Sequence, residues 1–192
     1  MANKLFLALV SQLLIGAFAF AAEESAQSPK IVITETSIKV GDVELRSGPP
    51  HSKFHFMSGA AVKKAFGEKA ERYEAGRVVD YARTKIGIHV QEGIRGEENG
   101  KLFKFQVYLE NDRDPRTEKD SGKFSGKVQV EGVNVAAATT WESIRDSLKA
   151  KGYKITEQPD LSYAEKTGPW GQITIFTAGS SGKIGRVEVW CL

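Results

Sequence analysis

The residues whose types could do chemistry include three histidines, two of them close together. His51 and His55 have the spacing that turns two imidazoles the same way on a helix, as in some zinc sites. Pro49 and Pro50 favour an extended approach instead, and no acidic third ligand has a fixed spacing to the pair. A loop with outward-facing histidines is therefore favoured over a metal site, and no metal is predicted.

The other candidates for catalysis carry weaker signals. His89 is out of phase with the apolar residues of an alternating strand, which predicts a solvent-facing side chain. Cys191 is expected to be a small apolar residue ending the last strand, with pairing to another molecule as the alternative. The acidic stretch 111–114 meets Pro115 where a calcium loop needs glycine. The sequence predicts no catalytic residue and no cofactor, with an enzyme as the minority alternative.

Aromatic residues in Gly- and Pro-rich connections favour recognition over catalysis. Phe54 and Phe56 flank His55 in one loop, and Trp170 lies in a Gly-Pro-Trp-Gly turn. Aromatic side chains offer a large contact area at a low entropy cost, which is why they anchor interfaces. An equal alternative for Trp170 is that it covers the core from the strand end. The expected partner-binding residues are His51, Phe54, His55, Phe56 and Trp170.

The N-terminus has the three parts of a secretory signal peptide. Lys4 supplies the positive charge, an apolar stretch follows, and small residues precede a cleavage site near Ala21-Ala22. The apolar stretch is short for a membrane span, so an uncleaved anchor is the less favoured alternative. Residues 1–21 are thus a predicted signal peptide and residues 22–30 a predicted disordered tail. The expected location is the periplasm or the medium, without a stable membrane anchor.

Composition narrows the class of partner. The chain of 192 residues has a net charge of +3, which is too small and too mixed to predict nucleic acid or an anionic membrane as a partner. With a single cysteine, an exported protein has no internal disulfide, so its core must hold the fold together.

Two parts of the chain match each other. Residues 37–45 and 127–135 both read as β-hairpins with glycine in the turn. A helix is predicted after each, the second with a capping box from Thr139 to Glu142, an apolar stripe, and Gly152 at its end. Alternating strands follow in both halves at a constant offset.

This pattern predicts an α+β protein made of two tandem copies of a hairpin, helix and three-strand antiparallel meander, with the helices on one side of the sheet. The first unit covers residues 31–110, a charged linker covers 111–123, and the second unit covers 124–192. Such a layout leaves one broad sheet face for function.

The repeated layout after a secretory signal resembles small exported proteins of Gram-negative bacteria that belong to domain families of unknown function. One motif on which this resemblance rests is Phe-Ser-Gly-Lys-Val-Gln-Val-Glu-Gly, which begins at Phe124. The layout is also loosely similar to β-lactamase inhibitor proteins, which bind an enzyme across a concave sheet, and to BamE-type envelope proteins. The chain lacks the disulfides of the former and the lipid-bearing cysteine of the latter, so no residue roles are carried over.

These observations predict an exported, non-enzymatic binding protein of the periplasm, such as an inhibitor or an immunity protein. The alternatives are an envelope assembly or structural accessory protein and, less favoured, a small hydrolase or ligand binder that uses His51 and His55. The expected partner is another protein of the envelope.

Overall fold

The computed structural model describes residues 29–46, 65, 71–75, 78–83, 87–93, 102–110, 122–168 and 171–191. Within these ranges the fold is mixed α+β and consists mostly of strands, arranged as two sheets with one helix. The predicted signal peptide lies outside the described residues. In the described ranges, no helix is both long and apolar enough to span a membrane.

The smaller sheet has five strands in the order β3-β2-β1-β8-β9. Its strands are β1 (Ile31–Ile33), β2 (Ile38–Val40), β3 (Val43–Arg46), β8 (Val128–Val130) and β9 (Val133–Val135). Both predicted hairpins are confirmed as β2–β3 and β8–β9, and Gly41 and Gly132 supply the positive φ of their turns. Strand β1 joins them, because it runs antiparallel to β2 and parallel to β8.

The larger sheet has eight strands in the order β10-β11-β12-β13-β7-β6-β5-β4, with every neighbouring pair antiparallel. Its first half is β4 (Glu71–Ala75), β5 (Val78–Arg83), β6 (Ile88–Gly93) and β7 (Leu102–Tyr108). Its second half is β10 (Lys154–Thr156), β11 (Tyr163–Gly168), β12 (Gly171–Thr177) and β13 (Ile184–Cys191). The last strands of the two halves, β7 and β13, pair at the centre of the sheet.

The described helix is α1 (Trp141–Ala150). Of the predicted stripe of Trp141, Ile144, Arg145 and Leu148, it buries the three apolar residues, while Arg145 is half-buried at its edge. The predicted capping box is wrong. Thr140 is the N-cap residue, and the Thr139 hydroxyl instead accepts a hydrogen bond from the Ala136 N–H at 2.9 Å.

The C-terminal end of α1 follows the prediction. Gly152 has φ 85°, its N–H donates to the Lys149 carbonyl, and the Tyr153 N–H donates to the Leu148 carbonyl. These two bonds form a Schellman motif, which satisfies carbonyls that the end of a helix would leave open.

One hydrophobic cluster fills the space between the two sheets and the helix. The smaller sheet contributes alternate residues such as Ile31 and Ile33, and the larger sheet contributes Phe105 and Val187 from its central strands. Because side chains alternate across a strand, these apolar positions place every intervening residue of β7 and β13 on the opposite face of the larger sheet.

The mixed α+β class is therefore confirmed. Each half of the larger sheet has four strands rather than the three of the predicted meander, since β4 and β10 add an edge strand. The origin of the two halves as tandem copies stays a prediction. So does the placement of two helices on one side, because Ala65 is the one described residue of the region where the first helix was expected.

Candidate functional site

The face of the larger sheet opposite the hydrophobic cluster is lined by polar and aromatic side chains, and we call it the polar face. Strand register places these side chains in rows that cross the central strands. On β6, β7, β13 and β12 its members are His89, Gln91, Lys104, Gln106, Tyr108, Arg186, Glu188, Trp190, Gln172, Thr174 and Phe176.

The expectation that His89 faces solvent is wrong. Its side chain is 5% exposed, and its imidazole ring lies 4.8 Å from the ring of Tyr108. Phase along the strand places His89 on the polar face as predicted, but β6 is an interior strand of an eight-stranded sheet. Neighbouring strands and large side chains bury it there.

The polar face is organised around Glu188, which is 6% exposed. The amide of Gln106 donates to Oε2 of Glu188 at 2.7 Å, and the Nζ of Lys104 lies 3.2 Å from the same oxygen. The indole N–H of Trp190 donates to Oε1. A buried carboxylate is costly unless charged and polar groups satisfy it, and here donors reach both of its oxygens.

Trp190 is the one large hydrophobic side chain described on this face that is strongly exposed, at 42%. Register places it between Gln172 and Lys104 on the two adjacent strands. The Nζ of Lys104 lies 4.2 Å from the centroid of its ring, a cation–π distance. The hydrogen bond to Glu188 and the contact with Lys104 together hold the indole in one orientation while much of its surface stays accessible.

Arg186 continues the face toward the start of β13. Its guanidinium lies 4.5 Å from the ring centroid of Phe176 and 5.7 Å from that of Tyr108. Its Nε lies 3.5 Å from Oε2 of Glu188, which is an ion-pair distance rather than a good hydrogen bond. Arg186 thus shares the central carboxylate with Lys104, while its guanidinium lies within cation–π distance of two aromatic rings.

A cleft of about 550 Å³ opens at this end of the polar face. Its volume is in the range of ligand pockets in proteins. Gly185 is required in its wall, because a Cβ there would come within 2.9 Å of the Cβ of Ala178. The side chains that give the cleft its chemistry are Glu110, Asp160, Leu161, Phe176 and Arg186.

A second charged cluster joins the two sheets. Lys166 of β11 is ion-paired with Glu35, in the turn after β1, and with Glu131 at 3.0 Å, in the turn between β8 and β9. The hydrogen bond with Glu35 is the main cause of a raised pKa for Lys166. Burial, followed by the charges of Glu131 and Glu35, raises the pKa of the nearby Tyr153 hydroxyl. Because each carboxylate comes from a different turn of the smaller sheet, this cluster serves to tie the sheets together.

The partner-binding residues predicted from sequence, His51, Phe54, His55, Phe56 and Trp170, lie outside the described residues. Sequence reasoning missed the polar face. Its signal was nevertheless present, because Lys104, Gln106 and Tyr108 alternate with apolar residues on β7, and Arg186, Glu188 and Trp190 do so on β13. The missing information was that these two strands pair.

In the described ranges, no cluster of three or more histidine, cysteine, aspartate or glutamate side chains could hold a metal ion. Comparisons with known proteins return no match: no family model fits the chain, and no curated protein or solved structure is significantly similar to it.

Proposed function

We propose that this protein is a non-enzymatic binding protein that holds another polypeptide against its polar face. The observation that carries the proposal is Trp190, whose indole is 42% exposed on one of the two central strands of the sheet. Tryptophan, tyrosine and arginine are the residue types that most often dominate binding energy at protein interfaces. The polar face exposes Trp190 and part of Arg186, whereas Tyr108 is buried beside them at 6% exposure.

The organisation of the face supports binding. Trp190 is hydrogen-bonded to Glu188 and contacts Lys104, so little side-chain freedom remains to be lost when a partner covers it. Anchors that are already oriented raise affinity, because binding then costs less entropy. A partner that covers the indole removes apolar surface from water without breaking the bonds of Glu188.

The hydrogen bonds of the Glu188 carboxylate favour a binding role for the polar face over a catalytic one. A general base needs a free oxygen within reach of a substrate proton. Both oxygens of Glu188 already accept bonds from this chain, and the imidazole of His89 packs against Tyr108. The described part of the polar face therefore suits recognition better than proton transfer.

The narrower form of the proposal is an exported inhibitor or immunity protein that acts in the periplasm. Its support is the signal-like sequence of residues 1–21, together with the broad face that a second protein would cover. An immunity protein needs a large, pre-organised surface rather than a catalytic centre, and a broad sheet face meets that need.

We also propose that the two halves of the larger sheet derive from one duplicated unit. The support is the order of the strands, in which β4 to β7 run inward from one edge and β10 to β13 run inward from the other. Val107-Tyr108 and Val189-Trp190, which correspond at the constant offset between the two halves of the sequence, lie on the two strands that meet at the centre. On this view Tyr108 and Trp190 are equivalent aromatic positions on the same face.

The test is affinity capture with the mature protein from an envelope extract of cells that express it. Wild type should retain one protein partner in stoichiometric amount under gentle conditions. Trp190→Ala should weaken that binding by about tenfold or more, as loss of a central anchor does. Lys149→Ala, an exposed change on helix α1, is the control and should bind like wild type.

Two results would count against the proposal. One is the absence of any stoichiometric partner for the wild-type protein. The other is a partner whose affinity is unchanged by Trp190→Ala, which would place binding on another surface. Sedimentation of the wild-type protein with membranes instead would favour the envelope accessory role.

A further inference from the structure

The cleft at the end of the polar face has a definite construction. Four adjacent strands bring its parts together: Asp160 and Leu161 precede β11, Phe176 lies on β12, Arg186 on β13, and Glu110 follows β7. Since neighbouring strands are about 4.8 Å apart, the cleft spans roughly 14 Å from its β11 side to its β7 side. That span suits a short extended segment of polypeptide.

Hydrogen bonds hold both walls in place. On the β11 side, the Thr177 hydroxyl accepts from the Ser162 N–H, and the Thr177 N–H donates to the Ser162 carbonyl, both at 2.9 Å. On the β7 side, the N–H groups of Leu109 and Glu110 both donate to the Gly185 carbonyl, at 2.8 and 3.2 Å. The walls of the cleft are thus held by hydrogen bonds between neighbouring strands.

The chemistry of the cleft differs between its two sides. Leu161 is 36% exposed, and with Phe176 it forms an apolar surface on the β11 side. Asp160, next to Leu161, is exposed, and its carboxylate makes no ion pair or side-chain hydrogen bond with the described residues. On the other side, Lys123 already neutralises Glu110 at 3.0 Å. Of the two carboxylates that line the cleft, Asp160 is therefore the one left for a ligand.

The positive charge of Arg186 does not reverse this preference. Its guanidinium lies 4.5 Å from the ring centroid of Phe176, and its Nε is at an ion-pair distance of 3.5 Å from the carboxylate of Glu188. Glu188 is shared with Lys104, so it offsets the charge of Arg186 only in part. Arg186 lies on β13, however, two strands away from β11, which Asp160 precedes. At the mouth of the cleft, a cation beside Asp160 and Leu161 is favoured over an anion.

We propose that the cleft is the specificity pocket of the polar face and binds a segment of the partner in which a basic side chain stands next to an apolar one. The basic group pairs with Asp160, and the apolar group covers Leu161 and the part of Phe176 that Arg186 and Tyr163 leave exposed. This inference rests on the proposed function, since it names the kind of polypeptide that the face receives. An exposed ion pair gives modest affinity but discriminates against the opposite charge.

The test uses three capped synthetic tetrapeptides, Ser-Lys-Leu-Ser, Ser-Glu-Leu-Ser and Ser-Lys-Ser-Ser, titrated into the ¹⁵N-labelled mature protein and followed by NMR. The Lys-Leu peptide should shift the amide signals of Asp160, Leu161, Gly179 and Gly185. It should bind about fivefold more tightly than the Glu-Leu peptide at low salt, with the preference shrinking as salt is added. The Lys-Ser peptide should bind more weakly because it lacks the apolar contact.

Variants separate the charge from the apolar surface. Asp160→Asn should remove the preference for the Lys-Leu over the Glu-Leu peptide, with about a two- to fivefold loss of affinity for the former. Leu161→Ala should weaken the binding of both leucine-containing peptides by about fivefold. Asp42→Asn, the same change at an exposed position in the β2–β3 turn, should alter neither the preference between the peptides nor their affinities. All three positions are at the surface, and a dispersed amide spectrum checks that each variant is folded.

The inference is overturned if the Glu-Leu peptide binds as well as the Lys-Leu peptide, if the shifted signals lie away from the cleft, or if no peptide binds at millimolar concentration. Capture of a partner that depends on Trp190 but not on Asp160 or Leu161 would overturn the cleft alone and leave the proposed function standing. If capture of the partner does not depend on Trp190 while the peptides still bind at the cleft, the proposed function is overturned and the cleft is retained as a peptide site.

Discussion

The amide of Gln106 donates a 2.7 Å hydrogen bond to the carboxylate of Glu188, joining the two strands at the centre of the larger sheet through a buried polar contact. The two residues are 82 positions apart in the chain. On the other face of the same strands, Val107 and Val187 pair within the hydrophobic cluster. The polar contact therefore gives the β7–β13 pairing a specificity that apolar packing alone does not supply.

Replacement of Glu188 by glutamine should destabilise the fold by about 2–3 kcal/mol, because the buried carboxylate balances Lys104 and accepts from two other donors. The amide of a glutamine would place a donor where three donors converge. Urea unfolding monitored by circular dichroism measures the change. Glu44→Gln breaks an exposed pair with Lys39 and should cost less than about 0.5 kcal/mol. Equal losses for the two variants would contradict the role given to Glu188.

Local sequence signals predicted local structure well. The hairpin turn at Gly41, the apolar stripe beginning at Trp141 and the helix end at Gly152 all depend on residues close in the chain. The predicted capping box was wrong for an equally local reason. The Thr139 hydroxyl accepts a hydrogen bond from the Ala136 N–H and does not cap the helix.

The candidate site could not be predicted in the same way, because it depends on pairing between distant strands. Alternation along β6 places His89 on one face correctly, but does not say that the face is crowded there. Likewise, nothing local in the sequence joins Lys104 to Trp190 or brings Leu161 beside Arg186. Those relationships follow from the order of the strands, which periodicity leaves open.

Replacement of Lys166 by methionine should destabilise the fold by roughly 1 kcal/mol, because Glu35 and Glu131 then lose the cation that ties their two turns to β11. The pKa of Lys166 is raised in the folded state, with the Glu35 hydrogen bond as the first cause. The stabilisation is thus complete below the unfolded lysine pKa of about 10.4 and is lost as pH rises through the higher folded value.

Urea unfolding of wild type and Lys166→Met at pH 8 and at pH 11.5 tests this prediction. The advantage of wild type should be present at pH 8 and should shrink at the alkaline pH. Lys154→Met, which breaks a pair between an exposed lysine and Glu165 at 3.3 Å, is the control and should have a smaller effect at pH 8. An advantage that persists unchanged at high pH would rule out the ion pairs as its source.

Replacement of Trp141 by phenylalanine should raise the pKa of Glu157. The indole N–H donates to Oε1 of Glu157 at 2.8 Å and is the first cause of the lowered pKa of that carboxyl. Arg145 also lowers it, through a hydrogen bond and through its charge, each a smaller cause than the indole bond; its Nη1 lies 3.5 Å from the same oxygen. A carboxyl whose pKa is lowered by folding stabilises the protein above its unfolded pKa, and this stabilisation is lost as pH falls through the folded value.

A ¹³C NMR titration of the Glu157 carboxyl measures this pKa directly. Trp141→Phe should move it upward, and Arg145→Gln should move it upward by less. If Arg145→Gln has the larger effect, charge rather than the indole hydrogen bond lowers the pKa of Glu157.

Replacement of Gly152 by alanine should destabilise the protein by about 1 kcal/mol, because the residue ends helix α1 with φ 85°, a conformation that a Cβ disfavours. The cost comes from the backbone alone, since the nearest atom to an added Cβ would be 4.0 Å away, on Lys166. Gly152→Asn should cost less than Gly152→Ala, because asparagine tolerates this conformation. Gly168→Ala is the matched control: among the described residues, the atoms nearest to an added Cβ there are those of Glu35 at 3.9 Å, so its effect should stay within about 0.5 kcal/mol. Thermal and urea unfolding of the three variants give the order directly, and an alanine variant at position 152 as stable as wild type would show that the helix ends without the Schellman motif in solution.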